Sequence, residues 1–170
     1  MGAIRQFGAL LDRLGDGLSA VARFVLLAIL VLINVEVAGR YLLGFSTLIA
    51  DEYGGYMFTW VLMFGFLHAH RHGHFLRVSI LRLRLGTRGR HVLDAISAAI
   101  GVILAAIAGY GAWQTFSVSW AFGSTSAFAS ETPLVIPQVA LPLGIGLLFL
   151  SFLEELLRHA VLAAAPEPSP

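Results

Sequence analysis

Apolar residues gather along this chain in long blocks, and the polar ones fall in short gaps between them. A helix needs about 20 mainly apolar residues to cross roughly 30 Å of hydrocarbon. Four blocks meet that requirement, which predicts spanning helices over about residues 19–43, 53–70, 92–122 and 133–153. The first centres on FVLLAILVLI and carries Asn34, Glu36 and Arg40 in its second half. The second has no charge before its histidines, the third only Asp94, and the fourth none until Glu154, Glu155 and Arg158. Neither the short alternation of a soluble sheet nor the alternating segments of an outer-membrane barrel appear. The predicted fold is therefore an all-α integral membrane protein. Its four transmembrane helices form one domain over residues 1–158, and the Pro-rich tail over 159–170 is expected to be disordered.

Composition agrees with that pattern. The chain is 58% hydrophobic and 12% charged, against about 45–50% apolar and 25% charged in ordinary soluble domains. Its net charge is only +1, and all 11 basic residues are arginine. Arg71, Arg77, Arg82, Arg84, Arg88 and Arg90 lie between the second and third helices, whereas the other two loops offer Asp51, Glu52 and Glu131. Basic residues in short loops stay on the cytoplasmic side, so both termini are expected there. Nothing in the charge pattern suggests nucleic acid. The N-terminal stretch has no small-residue cleavage site after a short apolar core and reads as a retained first helix. The absence of cysteine excludes thiolate metal sites and iron–sulfur clusters. The stretch FLRVSILRLRLGTRGR reads as a short cytoplasmic interfacial segment, best formed as a helix whose arginines snorkel toward lipid phosphates. No internal repeat of broken helices is present, which argues against an autonomous carrier.

HAHRHGH, residues 68 to 74, carries the most conspicuous side-chain chemistry. On a continuing helix His68 pairs with His72 and His70 with His74 at i,i+4. A stable metal site wants further ligands and carboxylates that orient the rings, and the nearest acids in sequence are Glu52 and Asp94. The preferred reading is a helix leaving the membrane, with neither catalytic, cofactor nor metal residues assigned. A haem would need facing axial histidines, and the remaining candidates, His91 and His159, sit near predicted helix ends. Glu36 and Arg40 stand at i,i+4 with the acid first, the favourable order on one face. They form either a self-satisfied pair or a polar seam against a partner subunit. Trp60, Trp113 and Trp120 fit an interfacial belt. Pro133, Pro137 and Pro142 are expected to start and bend the fourth helix, which needs neighbouring protein to satisfy the freed backbone groups.

Two runs of this sequence resemble the small membrane subunit, DctQ-like, of tripartite ATP-independent periplasmic (TRAP) transporters. One passes from Gly39-Arg40-Tyr41 through Asp51-Glu52, Trp60, Gly65, Arg71 and His74 to Val78; the other is TPLVIPQVALPLGIGLL, with Pro142-Leu143-Gly144 its firmest element. Ser79 and Ile49-Ala50 depart from the family pattern, where an acid and a tryptophan-containing run are common. The resemblance implies a scaffold subunit of the bacterial inner membrane. Its implied partners are a large TRAP membrane subunit and a periplasmic solute-binding protein, which together take up an organic acid on an ion gradient. It further implies that Glu36, Arg40, Glu52, Trp60 and Pro142 are structural or interface residues, and that Arg71, His74, Arg77, Arg82 and Arg84 anchor the cytoplasmic surface. The competing reading is a haem- or quinone-binding membrane anchor of a redox enzyme. A metal carrier using the four histidines is the third.

Overall fold

The computed structural model describes residues 2–44, 49–73, 86–128 and 130–164. Among them the chain is helical apart from loops and one isolated bridge between Thr125 and Pro133. Helix α1 runs Gly2–Leu43, α2 Ile49–Arg71, α3 Thr87–Phe122, α4 Val135–Gln138 and α5 Ala140–Ala164. The expected interfacial segment, with His74, Arg77, Arg82 and Arg84, lies outside the described residues.

The helices outrun the expected spans. At 1.5 Å per residue, the 42 residues of α1 reach about 63 Å, roughly twice a hydrocarbon core. Its first turns therefore form a polar-edged extension carrying Asp12, Arg13 and Asp16, and they still pack, with Leu11 only 1% exposed. Among the described residues three helices are long and apolar enough to cross a membrane, within Ile4–Leu42, Gly89–Phe122 and Val135–Ala163. The expected second span is not among them. Its helix, α2, has the length but not the apolar density, because Asp51, Glu52, two tyrosines, three glycines and the terminal histidines dilute it.

Proline chemistry divides the last helix where the sequence places a bend. Pro142 has no N–H to give the carbonyl of Gln138, and α4 closes at Gln138 before α5 resumes at Ala140. Beyond the expected end at Leu153, α5 continues through Ala164 and takes in His159.

Packing is most extensive between α3 and α5 and between α1 and α2, with α2 and α5 joining the two pairs. The start of α1 meets the end of α2 at Arg71 and Gly8. The ends of α2 and α5 meet at His70 and Ser151, and the start of α3 meets the end of α5 at His91 and His159. Successive long helices thus run antiparallel, as short connections favour. Close approach depends on small residues, the usual device where lipid removes the hydrophobic drive between helices. A Cβ at Gly144 would lie 2.6–2.9 Å from Met63 Cβ, O and Cα, so glycine there lets α5 lie against the α2 backbone. Outward, α1 and α3 leave Phe24, Leu27, Val31, Val35, Ile103, Leu104 and Ile107 exposed. That surface fits lipid or another subunit rather than water.

Candidate functional site

The polar residues collect at the two ends of the bundle, and one end is far richer than the sequence reading foresees. Arg71, the last residue of α2, turns inward. Its Nε donates to Asp12 Oδ1 at 2.6 Å, its Nη1 to Glu154 Oε2 at 2.5 Å and its Nη2 to the Gly8 carbonyl at 3.1 Å. One guanidinium thus ties α1, α2 and α5 together. Gly8 leaves room for this approach, since a Cβ there would lie 3.1 Å from Arg71 Nη2 and 3.2 Å from Glu154 Oε1, a tight fit that those side chains would have to yield to. Burial works against the cation, but the bonds to Asp12 and Glu154 outweigh it and hold the guanidinium proton more tightly than usual. Glu154 is buried, and Arg158 Nε, one turn on, stands 3.6 Å from its other oxygen.

His70 lies one position earlier on another face of α2 and is buried. Its Nδ1 is 3.0 Å from Ser151 Oγ and its Nε2 3.2 Å from Glu155 Oε2, while its ring sits edge-on to Phe152. The second oxygen of Glu155 faces His159 Nε2 at 4.0 Å. His159 Nδ1 is in turn 3.1 Å from His91 Nδ1 and 3.9 Å from Asp94 Oδ2. On the more exposed side, His68 and His72 stack 4.0 Å apart against Asp16, at 3.2 and 3.5 Å. Among the described residues two groups, Asp16–His68–His72 and His91–Asp94–His159, have ligand atoms close enough to hold a metal ion.

The seam therefore brings together Arg71 and three of the four histidines of HAHRHGH; His74 is outside the described residues. The acids closest in sequence are not its partners. Asp12, Asp16, Glu154 and Glu155 come from helices 52 or more positions away, the separation of His68 and Asp16. A topology with both termini on the side of the basic loop already places the start of α1, the end of α2 and the end of α5 together. That signal was available in the sequence.

At the opposite end, Glu52 is buried and accepts from Ser130 Oγ and from Tyr56 Oη at 3.0 Å, and Tyr53 Oη is 2.9 Å from Thr132 Oγ1. These bonds fasten the α3–α4 loop to the start of α2. Burial penalises the Glu52 charge, but bonds from Ser130, Ser126 and Tyr56 outweigh that penalty and keep its carboxyl below the ordinary range. Gly123 closes α3 in the left-handed conformation, its N–H reaching the Ser119 carbonyl.

Glu36 and Arg40 form the i,i+4 pair expected from their spacing, at 3.6 Å. They line an open cleft of about 520 Å³ between α1 and α2 with Asp51, Gly54, Gly55 and Phe58. Glu52 faces the loop instead, so the structure does not unite it with Glu36 and Arg40. Trp60 meets Phe64 edge-on, with ring centroids 5.1 Å apart, and Pro142 stands in the first turn of α5. Among the described residues this arrangement is a set of interhelical locks and two candidate ion-holding groups.

Residues 29–162 match the family described as tripartite ATP-independent periplasmic transporters, DctQ component. No curated protein and no solved structure matches the chain.

Proposed function

The chain belongs to the DctQ component family of tripartite ATP-independent periplasmic transporters, and on that premise we propose that it is the scaffold against which the large membrane subunit of such a transporter folds and works. The family is one of transporter components, not enzymes, and the long apolar helices make this a membrane protein. In our reading a periplasmic solute-binding protein delivers an organic acid or related solute, and the large subunit moves it inward on an ion gradient. The match over residues 29–162 carries this reading.

On this proposal the chain crosses the bacterial inner membrane four times as one domain, with α2 as the fourth span over about 53–70. The 23 residues of α2 give about 34 Å of helix, and α2 lies between α1 and α5, where protein buries Glu52 and His70. Both termini and the arginine-rich α2–α3 connection face the cytoplasm. His74, Arg77, Arg82 and Arg84 anchor that surface to lipid phosphates, while Arg71 secures the same end internally. Glu36, Arg40, Trp60 and Pro142 serve packing or the large-subunit interface, and Glu52 holds the periplasmic loop.

The test is purification of the tagged chain from native membranes in mild detergent, with mass spectrometry of co-purifying proteins and an absorbance spectrum of the sample. One large polytopic membrane protein, with no haem band, is expected. A haem band accompanied by a redox subunit would replace this proposal with that of a redox-enzyme anchor.

A further inference from the structure

We propose that His91, Asp94 and His159 form a binding site for a divalent transition metal of the zinc class, clamping the start of α3 to the end of α5. His91 and Asp94 lie one turn apart on α3, and His159 reaches them from α5. All three ligand atoms lie within 4.8 Å of one another. The two Nδ1 atoms are 3.1 Å apart. For metal–nitrogen bonds of about 2.0–2.1 Å, the edge of a tetrahedron is roughly 3.3 Å, so the imidazoles already stand near the spacing of two ligands on one ion. Asp94 Oδ2, 3.9 Å from His159 Nδ1, needs only a small side-chain adjustment to complete a third corner.

Burial and surroundings favour this group over Asp16–His68–His72. Asp94 and His159 are buried and His91 is half-buried, whereas the Asp16 side chain is 60% exposed. A carboxylate behind a ligating imidazole orients the ring and raises its basicity. Glu155 stands in that position, 4.0 Å from His159 Nε2 on the side away from the ligand nitrogen. Its other oxygen lies 3.2 Å from His70 Nε2, and His70 Nδ1 is 3.0 Å from Ser151 Oγ. Two imidazoles and one carboxylate select a borderline ion such as Zn2+ rather than a hard Mg2+ or a thiophilic Cu+. Three protein ligands leave one corner for water.

The test uses the full chain in detergent, carrying a tag without histidines and stripped with chelator. Co2+ is titrated by its visible absorption and Zn2+ by calorimetry. The wild type and His68→Ala/His72→Ala should each bind one equivalent. His91→Ala and Asp94→Asn, with helicity checked by circular dichroism, should weaken binding about tenfold or more, and Glu155→Gln should weaken it about 10–100-fold at unchanged stoichiometry. The proposal is overturned if the wild type binds neither ion, if His91→Ala and Asp94→Asn, folded, bind as tightly as wild type, or if the His68/His72 variant loses the site. Binding by the isolated chain is independent of the transporter reading.

Discussion

Replacing Arg71 with methionine tests whether the internal lock stabilises the bundle. The substitution keeps an unbranched side chain in place but removes three hydrogen bonds, to Asp12, Glu154 and the Gly8 carbonyl. The partners differ in what they lose. Asp12 has a side chain 50% exposed and returns to water, so its share is about 0–1 kcal/mol. Glu154, at 3%, stays buried, and stranding a buried charge costs about 3–5 kcal/mol. Arg158, 3.6 Å away but 46% exposed, offsets a little of that, which places the expected loss at about 3 kcal/mol. In a chain of this size each kcal/mol moves the melting point by about 2–4 °C, so Arg71→Met should melt about 6–12 °C lower. Tryptophan fluorescence of the purified chain, in one detergent and at one heating rate, is the assay. Asp12→Asn should lose no more than about 4 °C. Arg71→Met/Glu154→Met should recover much of the loss, because removing both members of a buried pair is often near neutral. The reasoning is refuted if Arg71→Met melts with the wild type, if Asp12→Asn costs as much, or if the double variant is simply additive.

Further expectations concern packing, the periplasmic loop and orientation. Gly144→Ala places its Cβ against the Met63 backbone and should cost about 1–3 kcal/mol by overpacking, read as a lower melting point. Gly146→Ala, which meets nothing within 4 Å, should be neutral or slightly stabilising through helix propensity. Ser130→Ala removes a bond that lowers the Glu52 pKa. A carboxyl with a depressed folded pKa adds stability above its unfolded value and loses it as pH falls through the folded one. The variant should thus melt below wild type near neutrality, and the gap should close on acidification; a gap that widens in acid contradicts the assignment. Because the chain has no cysteine, single cysteines report orientation directly. Ala127→Cys should react with a membrane-impermeant maleimide in intact cells and Gln6→Cys only after permeabilisation, and the reverse pattern would invert the proposed topology.

The sequence by itself determined the membrane-helical character of this chain, its family, the broken last helix and the Glu36–Arg40 pair. The family depends on the two motif runs, and the others on composition or on spacings within one turn, which local periodicity is sufficient to encode. The lengths of the helices were less legible. The pattern ends where apolarity ends, yet α1 and α5 continue into polar sequence because Leu11, Glu154 and His159 are buried against neighbouring helices. Tertiary structure alone decided the partners of HAHRHGH. The sequence made it a helix exit, since its closest acids in the chain are on the wrong turns or at the wrong end. Antiparallel packing of α1 on α2, and the meeting of the ends of α2 and α5, carry Asp12, Asp16, Glu154 and Glu155 to the same level. Packing of α3 on α5 sets His91 opposite His159. A residue's sequence neighbours fix which face of a helix it occupies, but the charge it meets across that face is fixed by which helix packs there and at what height.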